Sequence, residues 1–313
     1  MNALVLGGTQ FIGRALAMEL VARGHVVSIL TRGKLPVDYE GLHARYVADR
    51  KDVESLRQLE GKRFDAVFDV SGYGIADVRP VLEALRPGTE TRYVFLSSGA
   101  VYKPSSAPLS EDAPKGENEQ WGRYGTDKLA AEELLREHRS WEGFALSIVR
   151  PAYVYGPGNN LYREAYLFDR LERGEAVPVP QGGTTTQFVH IDDLVNLLVG
   201  LALREADGEE EAFNCAHPEP IGWPALVEAA AEAMDVEPRF KEVDYRGVME
   251  PREFFPFRDC TYLLDVGRAA RLGLAPAIDL REGLAETYAW YRRARPRLID
   301  PKMNRVEEAL AAG

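Results

Sequence analysis

The first 150 residues alternate short apolar runs, rich in β-branched residues, with longer stretches whose apolar positions recur at helical spacing. Strands that alternate with helices favour a parallel sheet covered on both faces, because parallel strands need crossover connections. The pattern therefore predicts an α/β fold with a doubly wound parallel sheet. The predicted strands are residues 3–6, 26–30, 44–47, 66–69, 93–97 and 145–149, and the predicted helices are 11–23, 52–59, 76–85 and 124–138.

After Pro151 this alternation breaks into Gly- and Pro-rich pieces around a helix predicted near 162–173, which indicates a second, smaller domain. The run 187–191, a helix over 192–204 and the run 212–215 can return the chain to the sheet. We assign residues 1–155 plus 187–218 to a large domain, 156–186 plus 219–292 to a smaller substrate domain, and 293–313 to a solvated C-terminal tail.

The net charge is −11, from 49 acidic and 38 basic residues. This balance argues against a general nucleic-acid or anionic-membrane binder, since either needs a broad basic field. The longest apolar stretch, 194–203, has about half the length of a membrane span, and no leader pattern precedes the first strand. We expect a cytoplasmic protein without a membrane or metal site, in which Cys215 and Cys260 are reduced thiols.

Ligands of such sheets bind beyond the carboxyl ends of the strands, so segments 7–13, 31–34, 69–73 and 97–102 should meet at one crevice. Segment 7–13 reads GGTQFIG, and a glycine turn that feeds a helix suits a pyrophosphate. This predicts a dinucleotide-binding Rossmann domain, although a tight turn that binds nothing is the alternative. The residues assigned to the cofactor here are Gly7, Thr9, Gln10, Phe11, Ile12 and Gly13, together with Ser71 in segment 69–73.

Gln10 replaces the middle glycine of the usual fingerprint, and we expect it beside the pyrophosphate, with its side chain turned away or bonded to it. The second strand ends at Arg32 without a carboxylate for a ribose hydroxyl, which favours NADP over NAD. Arg32 stacked on adenine is the alternative. Asp49 is placed either to bond the adenine amino group or to cap the helix that begins near Asp52.

Tyr124 and Lys128 lie four residues apart at the start of a predicted helix, so they share one face. A tyrosine that acts as an acid and base near neutrality must lose about three pKa units, roughly 4 kcal/mol. An ammonium about 5 Å away supplies roughly 3 kcal/mol at an effective dielectric constant of 20. Ser97 and Ser98 end the fifth strand. We assign Ser98 to the substrate oxygen and Ser97 to a local backbone group.

These motifs, in this order, resemble the extended and atypical short-chain dehydrogenase/reductases, the NAD(P)-dependent epimerase/dehydratase family. The resemblance implies a catalytic set of Ser98, Tyr124 and Lys128, with Lys128 also on the nicotinamide ribose. Tyr153 is carried over as a cofactor contact, and His190 as a packing residue. Relatives commonly form a homodimer through two helices, here 76–86 and 124–138. The matching segments are 7–13, 98–102, 124–128, 150–157 and 188–193.

The chain departs from the family pattern at several positions. Gly99 and Ala100 stand where dehydratases carry an Asp-Glu pair, which disfavours loss of water. Two arginines that contact the diphosphate of nucleotide sugars are replaced by Thr186 and by Phe255-Pro256. Asn159, Asn160 and Arg258 are the candidate substrate residues; Arg163 and Arg252 are further arginines that the sequence does not place.

The sequence therefore predicts an NAD(P)-dependent oxidoreductase or epimerase that acts on a carbinol of a sugar or nucleotide-sugar-like small molecule. Segments 168–170, 177–180, 213–215 and 255–258 also resemble chloroplast stem-loop-binding proteins and their bacterial relatives. That branch implies RNA binding and processing as an alternative function. A non-catalytic regulator that senses NADP is a second alternative.

Overall fold

The computed structural model describes residues 1–204 and 211–312. Its strands are β1 (Asn2–Leu6), β2 (Val26–Thr31), β3 (Ala44–Val47), β4 (Ala66–Asp69), β5 (Arg92–Leu96), β6 (Ala145–Pro151), β7 (Tyr153–Tyr155), β8 (Val177–Pro180), β9 (Thr185–Thr186), β10 (Phe188–His190), β11 (Glu211–Cys215), β12 (Ile221–Gly222) and β13 (Phe240–Val243).

The α-helices are α1 (Phe11–Ala22), α2 (Val53–Leu56), α3 (Ile75–Leu85), α4 (Arg123–Glu142), α5 (Glu164–Glu172), α6 (Ile191–Leu203), α7 (Trp223–Met234), α8 (Gly267–Arg271), α9 (Leu280–Ala294) and α10 (Val306–Ala312). Short 3-10 turns cover Arg57–Leu59, Gly99–Val101 and Pro251–Glu253. None of the helices in the described ranges is long and apolar enough to span a membrane.

In the described part of the chain the central sheet has seven strands in the order β11-β6-β5-β4-β1-β2-β3. Its strand pairs are all parallel. The sheet grows from β1 in both directions, through β2 on one side and β4 on the other. This arrangement confirms the predicted doubly wound α/β fold, and the crevice where a ligand binds in such folds opens between β1 and β4.

The central strands are apolar on both faces, because helices cover both. Leu4 and Val5 are fully buried neighbours in β1 that point to opposite faces. Val5 packs in a cluster with α1 and α6, and Leu4 packs in a cluster with α3 and α4. This two-sided burial explains why the strands read as continuous apolar runs.

A third cluster is built mainly from residues after 150, on α5, α7, β8 and the segment 254–264. β11 joins the central sheet beside β6, as expected for 212–215. In contrast, β10 pairs with β7 outside that sheet. The domain boundaries remain our proposal.

The segment after 292 differs from the solvated tail that we expect. Helix α9 continues to Ala294, and α10 buries Ala309 completely. The Lys241 ammonium donates to the Leu310 carbonyl at 2.7 Å, and Arg170 pairs with Glu307 at 3.0 Å. The arginines near 295 obscured the apolar positions that dock this segment on the third cluster.

Candidate active site

The glycine turn between β1 and α1 lies at the crevice. Gly7 has a φ of +112°, which L side chains rarely adopt. A Cβ on Gly13 would lie 2.9 Å from the Gly8 nitrogen, so α1 packs directly against the turn. These glycines create the close backbone approach that a bound phosphate needs.

The amino end of α1 is open toward this turn. Gln10 is the exposed N-cap residue, has extended backbone, and makes no capping bond with its side chain. Phe11 follows with a φ of +35°, and Thr9 and Ile12 are half-buried beside it. The uncapped first-turn N–H groups and the positive end of the helix fit a pyrophosphate, so the cradle suits a dinucleotide.

On the side expected to hold adenosine, Arg32 is exposed directly after β2. The carboxylate of Asp49 accepts a bond from the Lys51 N–H at 3.0 Å. Asp52, rather than Asp49, caps α2 by accepting from the Glu54 N–H at 3.1 Å. The capping alternative therefore belongs to Asp52, and contact of Asp49 with adenine stays a prediction.

A buried ion pair that the sequence did not indicate supports the next segment of the crevice. Arg50 follows β3 and donates to both carboxylate oxygens of Asp69 at 2.8 and 2.6 Å. It also donates to the Ser71 hydroxyl at 2.9 Å, which in turn donates to the Leu6 carbonyl at 2.8 Å. Burial raises the pKa of Asp69, but the Arg50 guanidinium outweighs it and holds that pKa below its usual range.

This pair fixes Ser71 against the glycine turn, since a Cβ on Gly7 would lie 3.3 Å from the Ser71 Cβ. Asp69 ends β4 and Arg50 follows the end of β3. Their position after predicted strands was the one sign in the sequence that they could meet at this edge of the sheet.

Lys128 on α4 is buried beneath the crevice. Its ammonium donates to the Gly72 carbonyl at 2.7 Å and to the Leu96 carbonyl at 2.6 Å, and so connects the ends of β4 and β5. Burial lowers the pKa of Lys128 to about 8. The side chain also lies over the rings of Tyr73 and Phe95.

Tyr124 lies beside Ser98 at the end of β5, and its ring contacts Tyr73 edge-on with centroids 6.1 Å apart. Burial of the phenol raises the pKa of Tyr124, whereas the hydrogen bond with Ser98 and the charges of Arg163 and Arg258 lower it in part. The structure therefore brings the predicted Ser98 and Tyr124 together. The effect of Lys128 on Tyr124 remains a prediction.

The two serines differ from the expectation in their partners. Ser98 accepts from the Ala100 N–H at 3.2 Å, so it is the serine with a local backbone bond. Ser97 instead donates to the Glu132 carboxylate at 2.5 Å. Glu132 forms a fully buried pair with Arg150 at 2.6 Å, which explains why a carboxylate on α4 can receive this bond.

An aromatic wall closes the crevice on the side of the third cluster. It consists of Trp121, Tyr153, Phe257 and Tyr262, with neighbouring centroids 5.1–6.2 Å apart. Tyr153 is only 4% exposed, and its hydroxyl accepts from the Arg258 N–H at 3.2 Å. Cofactor contact by Tyr153 remains a prediction, because in this structure its ring packs in the wall.

Gly99 follows Ser98 and has no room for a side chain. A Cβ built there would overlap the hydroxyl of Tyr262, which reaches the Pro151 carbonyl at 3.4 Å. The space next to Ser98 that a side chain at position 99 would occupy is thus filled by a phenol from the aromatic wall.

The remaining substrate candidates are placed differently from one another. Asn159 is buried and donates to the Glu164 carboxylate at 2.7 Å, whereas Asn160 is exposed. Burial raises the pKa of Glu164 to about 7. The Arg258 guanidinium lies 4.6 Å from the centroid of Trp121, three residues before Tyr124.

His190 packs and bonds as expected, whereas of the two cysteines Cys215 is buried and Cys260 is half-buried. His190 caps α6 by accepting from the Asp192 N–H at 3.4 Å, and its ring packs on Tyr155 at 5.3 Å. Cys215 and Cys260 are free thiols.

Comparisons with known proteins place this geometry in a family. The chain is 33% identical to the chloroplast stem-loop binding protein of 41 kDa b from Arabidopsis thaliana, over 91% of this chain and 78% of the relative. It is 28% identical to the UDP-glucose 4-epimerase of Mycolicibacterium smegmatis, over 93% of this chain and 99% of the relative.

Solved structures share the fold. MoeE5 in complex with UDP-glucose and NAD superposes with a TM-score of 0.74 and 25% identity, over 95% of this chain and all of that chain. The UDP-glucose 4-epimerase of Thermotoga maritima with UDP-glucose gives a TM-score of 0.78 at 22% identity, with the same coverage.

The model of the NAD dependent epimerase/dehydratase family matches residues 3–216, which hold the glycine turn, Ser98, Tyr124 and Lys128. Because this match spans more than half of the chain and coincides with the crevice, the chain belongs to the NAD-dependent epimerase/dehydratase family.

Proposed function

We propose that this protein is an NAD(P)-dependent epimerase or oxidoreductase that acts on a carbinol of a nucleotide sugar. The observation that carries the proposal is the position of Tyr124 beside Ser98, on the helix that also carries the buried Lys128. Nucleotide-sugar enzymes among the relatives and structural neighbours support the substrate class.

Each residue has a role that follows from its position. The Ser98 hydroxyl holds the substrate oxygen, and Tyr124 exchanges a proton with it. Lys128 fixes the ends of β4 and β5 through its two carbonyl bonds. A dinucleotide whose pyrophosphate is held by the glycine cradle would supply hydride transfer at the carbinol carbon.

The protonation state of Tyr124 decides whether the site without bound ligands is better suited to reduce a carbonyl or to oxidise an alcohol. Since burial raises the pKa of Tyr124 above its ordinary value, the phenol oxygen carries a proton near neutral pH. A protonated phenol is ready to donate to a carbonyl oxygen, whereas removal of a proton from an alcohol requires additional positive charge nearby.

The test is Tyr124→Phe, assayed on a panel of UDP-, GDP- and dTDP-sugars and on any small molecule that co-purifies. Turnover should fall by roughly 10²- to 10⁴-fold, because the proton-transfer group is lost. The dissociation constant for the cofactor should stay nearly unchanged. Tyr73→Phe is the matched control, since its ring lies beside Tyr124. Equal turnover of wild type and Tyr124→Phe would contradict the proposal, and cofactor binding without any turnover would favour the regulator.

We propose NADP as the preferred cofactor, on the basis of Arg32 at the end of β2 and the absence of a carboxylate from residues 31–34. Arg32→Ala should weaken NADP binding about tenfold and leave NAD binding unchanged, because only NADP carries a 2′-phosphate. Arg79→Ala on α3, another exposed arginine, is the control. Equal losses for both cofactors would indicate stacking on adenine instead.

RNA binding is a second candidate, favoured by the 33% identity to a stem-loop binding protein. It is tested by filter binding of a stem-loop RNA at two salt concentrations. Affinity that falls steeply with salt would support this function, because phosphate contacts release counterions. No retention at low salt would exclude it.

A further inference from the structure

Two arginines at the aromatic wall form no salt bridge with any residue that the structure describes. Among the described residues neither Arg163 nor Arg258 forms an ion pair. The Arg163 guanidinium lies 5.1 Å from the centroid of Tyr153 and 5.7 Å from that of Phe257. The Arg258 guanidinium stacks on Trp121 and donates through Nε to the Gln120 carbonyl.

The carboxylates next to them in the chain have other partners. Asp259 accepts from the Trp223 indole N–H at 2.9 Å and from the Tyr245 hydroxyl at 2.8 Å. Glu164 accepts from Asn159 at 2.7 Å. Partly buried cations in a chain of net charge −11 would be expected to recruit such groups, yet here the neighbouring carboxylates bond to neutral donors.

Both guanidinium groups stack on neighbouring rings of the aromatic wall, that of Arg163 on Tyr153 and that of Arg258 on Trp121. The Tyr153 and Trp121 centroids are 6.0 Å apart, and the Tyr153 hydroxyl accepts from the backbone N–H of Arg258 at 3.2 Å. A guanidinium that stacks on a ring keeps its N–H edge available for two parallel bonds to a carboxylate or phosphate.

We propose that Arg163 and Arg258 form an anion subsite beside Tyr124, so that the substrate carries a carboxylate or phosphate group close to its reacting carbinol. The proposal rests on the proposed function and narrows its substrate class. The positive charges of both arginines also oppose the burial that raises the pKa of Tyr124. Thr186 is buried and donates to the Tyr262 carbonyl, and Phe255 is fully buried, so neither position supplies a charged group for the anion.

The experiment measures binding by calorimetry to the cofactor-saturated protein, with UDP, UDP-glucose and UDP-glucuronic acid as probes. Arg163→Gln and Arg258→Gln should each weaken the anionic probe about tenfold or more, because each removes a charge-assisted bond. Arg246→Gln is the matched control: Arg246 also stacks on a ring, that of Tyr245, but it is exposed and paired with Asp244.

The probes distinguish the two sources of the anion. Equal losses for all three probes assign the subsite to phosphate, and a loss confined to UDP-glucuronic acid assigns it to a carboxylate. The proposal is overturned if no probe binds the wild type, or if both variants bind every probe as the wild type does.

Two further measurements guard against misfolding and separate this proposal from the function. The cofactor dissociation constant and thermal midpoint of each variant show whether it folds. For the wild type alone, inorganic pyrophosphate should compete with the bound probe. The subsite would be overturned if millimolar pyrophosphate did not compete and the affinity for the probe did not depend on salt. Arginine-dependent binding without turnover would retain the subsite and refute the function.

Discussion

The substitution Glu132→Gln tests the buried network that holds α4 against the ends of β5 and β6. The Glu132 carboxylate accepts from Arg150 at 2.9 and 2.6 Å and from Ser97 at 2.5 Å. The Glu132 and Arg150 side chains are completely buried. Gln keeps the shape but leaves the guanidinium without its counterion, and breaking a buried pair in this way costs about 3–5 kcal/mol.

That loss is a large part of a typical free energy of unfolding, about 5–15 kcal/mol. Urea denaturation at pH 7 measures it as a fall in the midpoint. Glu133→Gln, exposed on the same helix, should stay within about 0.5 kcal/mol of wild type. Adding Arg150→Met to Glu132→Gln should recover part of the stability, since the uncompensated charge is removed. A loss under about 1 kcal/mol for Glu132→Gln would refute the reasoning.

The difference in the free energy of unfolding between wild type and Glu132→Gln should depend on pH in one direction. Burial would raise the pKa of Glu132, but the bonds and charge of Arg150 hold it below its ordinary value of 4.5. The unfolded chain therefore takes up this proton first as the pH falls. The stability from Glu132 is present above about pH 4.5 and is lost as the pH falls through the folded pKa, so wild type and Glu132→Gln should converge in acid.

Gly99→Ala should destabilise the fold by about 1–3 kcal/mol in thermal unfolding, because the new methyl overlaps the Tyr262 hydroxyl. Gly88→Ala is the control, since a methyl there meets nothing within 4 Å. Gly13→Ala should raise the cofactor dissociation constant at least about tenfold, since its methyl would lie 2.9 Å from the Gly8 nitrogen, and unchanged fluorescence titrations would contradict the turn geometry. Because the pKa of Lys128 is lowered to about 8, only the unfolded chain binds its proton between about pH 8 and 10.5, so stability rises with pH there. The difference between wild type and Lys128→Met should grow by on the order of 3 kcal/mol across that window, and a flat difference in urea denaturation would contradict the lowered pKa.

Local signals were enough to predict the fold of the first 150 residues. Buried parallel strands read as apolar runs, and the glycine turn with its helix follows from residues 7–13 alone. The pattern also placed Tyr124 and Lys128 on one helix, which is α4, while their catalytic roles stay a prediction.

The site features that the sequence did not predict depend on contacts between residues far apart in the chain. Arg258 bonds to Gln120, 138 residues away, and meets Tyr153 across the aromatic wall. Ser97 found its partner in Glu132, 35 residues away, because Arg150 stabilises a carboxylate there. The C-terminal segment docks on a cluster formed by distant helices, so its own composition did not reveal its burial.

The contact between Gly99 and Tyr262 restricts which changes this chain can accumulate one at a time. An acidic side chain at position 99 cannot be accepted while the phenol of Tyr262 fills its space. Shrinking Tyr262 first would open a cavity beside Trp121 and Tyr153, at a cost of several kcal/mol. Any ancestral or engineered route to water-eliminating chemistry must therefore change both positions together, and 99 and 262 should vary as a pair among relatives.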